Sequence, residues 1–457
     1  MSENEPKVQA ANSPPRLKRV LGLWDLVYYG IILISPIAAV PMFGEAQILS
    51  KGHAVTTILA AMLAMTATAV SFGRMAAVYP SAGSVYTYAS RGFNAQIGFV
   101  LGWAMFLEYL FQPVQNSLYA ALSVQRLIPH VPLALLSAVA VGFMTVLCWM
   151  GIRTTARTNQ ILLAFMSLIM AAFLFQAFSF VLRHQHWQGL VTLQPVYDAR
   201  TFSVRAIAAG TALVAMTYIG FDGVSILAEE VHNPRRNVLL ATVLVCIFTG
   251  VFAGLQIFLA QLVWPNYRTL SNPETAFMDV AQVVGGYRLF AAFGVVLLVS
   301  SLACGLAGHL GAVRLLYGMG RDNLLPRRFF GYLDPKRGSP TYNVLVVGVI
   351  AYLGTLTLSW ERSVEILNFG ALLTFMAVNL AALRHFGFLQ PAGAQRNLIL
   401  DIVVPSLGFL FCLVIFFGLQ QSTLVMGAVW CAIGAVYVVL KGRGLDAKAM
   451  TIDFSES

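Results

Sequence analysis

About twelve windows of roughly 20 mostly apolar residues recur along this chain, each as long as a helix needs to cross about 30 Å of hydrocarbon. They fall near 21 to 49, 53 to 79, 95 to 128, 131 to 151, 157 to 183, 204 to 230, 237 to 264, 287 to 320, 342 to 360, 362 to 385, 399 to 419 and 423 to 441. The composition agrees: 58% hydrophobic residues, 11% charged residues and a mean hydropathy of +0.75 lie far from soluble averages. The pattern predicts an all-α, polytopic membrane protein.

A net charge of +10 would suggest nucleic acid as partner for a soluble protein. In a membrane chain the placement of basic residues instead reports topology, because they concentrate on the cytoplasmic side. With the N-terminus inside, most of the 29 Lys and Arg fall in cytoplasmic ends and loops, among them Arg16, Lys18, Arg19, Arg74, Arg91, Arg153, Arg157, Arg235, Arg236, Arg327, Arg328, Arg384 and Arg443. N-terminus and C-terminus inside, in the cell (inner) membrane, is the expected arrangement, with no nucleic-acid partner. The polar first 19 residues run into a segment too long for a signal-peptide core, so an uncleaved chain is expected.

Two windows are interrupted at the depth where an exposed backbone must hydrogen-bond to itself. The first carries "ILISPIAAVP" (Ile32 to Pro41), with Ser35, Pro36, Ile37 and Ala38 near mid-span, and proline removes a donor and breaks a helix. The second, five spans later, carries "TYIGFDG" (Thr217 to Gly223), in which Gly220 and Gly223 flank the ionisable Asp222. Either break reads as a tolerated kink or as a site. Transporters built from two inverted five-helix repeats open each repeat with a broken helix and hold substrate between the two, and the five-span separation fits that plan.

Three ionisable residues sit deep in predicted spans: Glu108, Asp222 and His309. Glu108 lies about 13 residues, roughly 20 Å of helix rise, into its span, which is near the midplane. Such groups are costly in lipid and normally face a cavity or a partner. Glu108 reads either as half of a buried structural pair or as an anion for a cationic amine. Asp222 reads either as an N-cap or as a second such anion. Both are candidates for exchanging a proton as the site empties. His309, beside Gly308 and Gly311, reads chiefly as a hydrogen bond across a helix interface.

Around these, Trp103, Tyr109, Tyr218 and Phe221 are aromatic candidates for the pocket, since an aromatic face attracts ammonium. Gln112 and Gln115 offer polar contacts near Pro113, and Ser300, Ser301, Thr374 and Asn379 are less specific cavity candidates. Cys148, Cys246, Cys304, Cys412 and Cys431 all fall in spans without metal-ligand spacing and read as small buried residues. His184 and His186, in "RHQHWQG", read as a solvated loop rather than a metal site. No cofactor is implied. No paired nucleophile and base or HExxH motif supports an enzyme, and no filter motif supports a channel.

Three ordered motifs carry a family resemblance: "GRMAAVYPSAGSVYTYASRGFNAQIGFVLGW" (Gly73 to Trp103), "AEEVHNPRRN" (Ala228 to Asn237) and "RLLYGMGRDNLLP" (Arg314 to Pro326). The chain resembles the amino acid/polyamine/organocation superfamily of secondary transporters. "LVYYGIILISPIAAVPMFG" and "LEYLFQP" look most like its bacterial putrescine importer branch, while "GWAMFLEY" also resembles the cationic amino acid transporters. The resemblance implies twelve transmembrane helices in a LeuT-like, five-plus-five inverted repeat with discontinuous helices 1 and 6, plus two C-terminal helices. It implies domain bounds at 1–19 (cytoplasmic tail), 20–183 (first repeat), 184–203 (external loop), 204–385 (second repeat), 386–441 (helices 11 and 12) and 442–457 (cytoplasmic tail). It places Ser35, Pro36, Ile37 and Ala38 at the first break and Tyr218, Ile219, Gly220 and Phe221 at the second as substrate-binding positions. With Glu108, Tyr109, Gln112 and Asp222 they form the candidate site.

Two departures from the family pattern bear on chemistry. The Gly-x-Gly that lets backbone amides approach a substrate carboxylate is replaced by Ile34-Ser35-Pro36-Ile37. The lysine that some proton-coupled members carry after the motif similar to "ARTNQ" (Ala156 to Gln160) is matched here by Met166. The expected function is secondary active transport of a small amine, a polyamine such as putrescine or an amino acid, by symport or exchange. An amino acid exchanger, a cationic amino acid permease and a substrate-sensing receptor without flux are the competing readings; oligomeric state is open.

Overall fold

A computed structural model describes residues 21–79, 84–151, 156–321, 325–334, 339–389 and 397–441. The predicted tails at 1–19 and 442–457, the Pro80-to-Gly83 part of the first motif and the Asp322-to-Leu324 part of the third lie outside the described residues.

Among the described residues the protein is all-helical apart from one isolated parallel bridge, Leu21 with Val231. The first window divides into α1 (Leu23–Ile34) and α2 (Phe43–Leu49). There follow α3 (Ala54–Val78), the short α4 (Ser84–Gly92), α5 (Ala95–Leu127), α6 (Leu133–Trp149) and α7 (Ala156–Leu190). The sixth window divides into α8 (Val204–Val214), a 3-10 turn (Ala215–Tyr218) and a second 3-10 segment (Asp222–Glu230). Then come α9 (Pro234–Val263), α10 (Ala276–Arg321), the four-residue α11 (Arg327–Phe330), α12 (Thr341–Thr357), α13 (Trp360–Ala382), α14 (Val404–Phe416) and α15 (Gln421–Lys441).

Nine helical stretches among the described residues are long and apolar enough to cross a membrane, and three shorter apolar helices, α1, α6 and α12, occupy further windows. Together with the outward rows of Leu, Val and Phe on α6 and α15, this makes a multi-pass integral membrane protein, since such faces are stable only against lipid.

Two helices run past their windows. The turns of α7 continue to Leu190, so His184 and His186 lie at the end of a long helix, not in the loop expected from 184; His184 Nδ1 bonds the Phe180 carbonyl at 2.9 Å, and the helix bends at His186 (φ 55°). Helix α10 begins at Ala276, ahead of its window at 287, and bends at Gly286 (φ 64°).

Burial separates centre from rim. In α13, 83% of the most apolar window is buried, against 22% in α7 and in α15, so α13 is enclosed by protein while the other two face lipid. Helix α5 packs on α10 and α13, and α3 packs on α9. The α5–α10 contact depends on small residues. Gly305, Gly308 and Gly311 of α10 receive Asn116, Gln112 and Tyr109 of α5: a Cβ at these glycines would lie 3.0 Å from Asn116 Cβ, 2.4 Å from Gln112 Cβ and 2.6 Å from a Tyr109 ring carbon. Bare backbone on one helix thus lets polar side chains of the other approach the interior.

Candidate functional site

Helix α1 ends because Ser35 takes φ 73° and ψ 136°, a conformation that strains a residue with a Cβ. Its N–H still reaches the Ile31 carbonyl at 3.0 Å, and the chain then advances by short turns, Ala38 N–H to Ser35 O at 3.2 Å and Val40 N–H to Ile37 O at 3.0 Å, before α2 begins. The Pro36 carbonyl, freed by the break, accepts from Gln256 Nε2 of α9 at 2.8 Å. A buried polar group must be paired in this way.

The second break follows Tyr218. Ile219 is extended (φ −60°, ψ 127°) and Gly220 takes φ 119°, a region open to glycine. A Cβ at Gly220 would lie 3.3 Å from Ile34 and 3.4 Å from Leu33, so the second break rests directly on the end of α1. Asp222 Oδ1 accepts from the Gly220 N–H at 3.2 Å. The N-cap of the Asp222–Glu230 segment is Phe221, without a side-chain cap bond, so Asp222 bonds back into the break and does not take the N-cap role offered by its sequence.

Between the breaks lies a cavity of about 340 Å³ whose wall includes eight of the candidate residues: Ser35, Pro36, Glu108, Tyr109, Gln112, Ile219, Gly220 and Asp222. Two carboxylates line it, and among the described residues no Lys, Arg or His does. Glu108 belongs to neither of the two ion pairs found among the described residues, Arg74–Asp401 and Arg126–Asp279, which goes against its reading as half of a structural salt bridge. Met166 is in the wall too, with Ser35 Oγ 3.4 Å from its sulfur. A neutral thioether thus faces the first break at the position matched to the family's lysine.

The remaining candidates stand elsewhere. Ile37 and Ala38 line an adjoining cavity of about 90 Å³, which also holds Gln115 and Ser301 and shares Ser35, Gln112, Ile219 and Ser300 with the first. Tyr218 is fully buried, its hydroxyl donating to the Ile58 carbonyl at 2.7 Å, and Phe221 packs edge-on to Phe72; neither reaches the wall. Trp103 is also outside the cavity, stacked on Trp430 at 4.7 Å. Thr374 and Asn379 are buried in helix contacts, Asn379 bonding Ser71 at 2.7 Å and Thr68 at 2.9 Å. His309 Nε2 donates to the Val344 carbonyl at 3.2 Å, the helix-interface role expected of it. Among the cysteines, Cys304 and Cys431 are only partly buried, and of the two Cys304 lines both cavities. Tyr29, also in the wall, had no signal in sequence beyond its span.

A sequence model of the amino acid permease family matches residues 38–444. The chain belongs to the amino acid permease family. This family member is a transporter, not an enzyme, within the amino acid/polyamine/organocation superfamily. It is 30% identical over 443 residues to the low-affinity putrescine importer PlaP of Escherichia coli (strain K12), with 96% of each chain covered. It is 26% identical over 464 residues to the branched-chain amino acid permease BcaP of Bacillus subtilis (strain 168), covering 95% of this permease and 96% of that one. Similarity to the vacuolar cationic amino acid transporter 4 of Arabidopsis thaliana is 27% over 402 residues, covering 81% of this chain and 64% of the relative.

Proposed function

We propose that this permease is a secondary active transporter that moves a small cationic amine, a diamine such as putrescine, across the cytoplasmic membrane by alternating access. The observation that carries the reading is the cavity between the two breaks, with Glu108 and Asp222 in its wall and no basic side chain among its described lining residues. An ammonium gains from both carboxylates and from the Tyr109 face. An α-carboxylate would meet two like charges and, at Pro36, a backbone without an amide. The 30% identity to a putrescine importer supports the same substrate class.

The proposal includes twelve spans in a five-plus-five inverted repeat, with both termini cytoplasmic. Ser35, Pro36, Ile219 and Gly220 present unwound backbone to the substrate, and Glu108 or Asp222 carries the coupled proton. The similarity to amino acid permeases favours a second reading, exchange or uptake of a cationic amino acid.

Purified protein in liposomes, given labelled putrescine or labelled amino acids under an imposed proton gradient, tests the proposal. Gradient-dependent putrescine accumulation that excess amino acid does not displace is the expected result. Accumulation of an amino acid alone would reject the diamine, and binding without accumulation would make the protein a receptor.

A further inference from the structure

Resting on that reading, we infer that the two adjoining cavities are one two-ended site that selects linear diamines by length, with the distal ammonium held by neutral oxygens of Gln115, Asn116 and Tyr119. The two spaces adjoin across shared wall residues, Gln112 and Ser300 among them, and in the proposed site the ligand passes between these from the larger into the smaller. The carboxylates belong to the larger space alone. No charged residue lines the smaller one among the described residues; Gln115, Asn116 and Tyr119 bring amides and a hydroxyl to a wall that is otherwise mainly apolar.

The register of α5 sets a ruler. Glu108, Gln112, Gln115, Asn116 and Tyr119 recur at three- and four-residue steps, hence on one face. Glu108 and Gln115 are separated by about 10 Å of helix rise, at 1.5 Å per residue. A four-carbon diamine spans roughly 6 Å between nitrogens and a six-carbon one roughly 9 Å, from bonds of about 1.5 Å at tetrahedral angles. The volume of about 90 Å³ admits an unbranched aminoalkyl end, since on this measure a single water needs only about 10–15 Å³.

The Tyr119 hydroxyl supplies an independent sign of a missing partner. Tyr119 lines the smaller cavity, is only 2% exposed, and its phenolic oxygen makes no hydrogen bond among the described residues. Buried hydroxyls are ordinarily paired. An ammonium has three donors and no acceptor, so it suits a cluster of oxygens that are short of donors. A ligand whose only charges sit on adjacent carbons, as in an α-amino acid with a neutral side chain, cannot use this end.

The test is competition against labelled putrescine binding by α,ω-diamines of three to eight carbons and by butylamine, on the purified full chain. Wild type is expected to show an affinity optimum at four to six carbons. Tyr119→Phe, which keeps the ring, and Gln115→Leu are each expected to lower the ratio of diamine to butylamine affinity about tenfold. Flat length dependence in wild type, or an unchanged ratio in both variants, overturns the two-ended site while leaving amine transport standing. Absence of any amine binding overturns both readings together.

Discussion

Gln256, in the C-terminal third of α9, donates through Nε2 to the carbonyl oxygen of Pro36 at 2.8 Å, and so satisfies the acceptor that the first helix break would otherwise strand. Gln256→Leu removes the donor without a large change in volume. Its expected effect is a loss of about 1–3 kcal/mol of stability, the usual cost of an orphaned buried acceptor. A lowered melting temperature in detergent together with slower uptake would show it.

Glu108 and Asp222 are predicted to act on affinity for the charged end of the amine. Glu108→Gln and Asp222→Asn preserve shape and remove charge; each loses a charge-assisted contact of about 1.5–3 kcal/mol, or roughly 10- to 150-fold in Kd. Binding should also weaken in wild type as pH falls far enough to protonate the carboxylates, because the attracting anion is then lost. Equilibrium binding of labelled putrescine across pH checks both effects.

Glycine substitutions separate close approach from mere helix composition. At Gly308 a Cβ would lie 2.4 Å from Gln112 Cβ, whereas Gly142 on the exposed face of α6 has nothing within 4 Å. Gly308→Ala should therefore displace Gln112 and lower both melting temperature and uptake. Gly142→Ala should raise stability by about 0.5–1 kcal/mol through helix propensity. Opposite shifts in the two melting curves are the expected outcome.

Trp103 makes a reciprocal pair with Trp430: each indole N–H donates to the other's carbonyl, at 3.0 and 2.9 Å, and the rings stack. This ties α5 to α15 and leaves Trp103 out of the cavity wall. Trp103→Ala should cost about 3 kcal/mol yet leave amine Kd within about twofold. A large loss of affinity in folded protein would return Trp103 to the site.

Cys304 offers a chemical probe of the cavity. It is partly buried and lines the cavity; Cys431 is partly buried outside it, and Cys148, Cys246 and Cys412 are buried. A small thiol-specific methanethiosulfonate should block uptake, putrescine should slow the block, and Cys304→Ala should resist it. Uptake assays after timed exposure measure all three.

Depth along a span was legible in the sequence; rotation about its axis was not. Ser35-Pro36 and Gly220 with Asp222 announced the breaks because proline, and glycine beside a charge, are unfavourable in an uninterrupted helix. Glu108 stood out for the cost of burying its charge. Tyr218 and Phe221 share the second break with Ile219 and Gly220, but the extended turn at Ile219 points the aromatic pair into the packing. Apolar periodicity carries little facing information when protein and lipid are equally apolar, so the sequence does not separate Trp103, which packs on Trp430, from Tyr29 and Cys304, which line the cavity. Gly308 and Gly311 stand beside His309 in the sequence, but their fit with Gly305 to Tyr109, Gln112 and Asn116 follows only from the packing of α10 on α5.

The contact between Gly220 and the last residues of α1 has a mechanical consequence. Leu21 donates its N–H to the Glu230 carbonyl and accepts from the His232 N–H, so the segments Leu23–Ile34 and Asp222–Glu230 are fastened near their outer ends as well as where they touch at Gly220. Fastened at two points, they are expected to shift as one body, so that in the proposed alternating-access cycle neither half would move without the other.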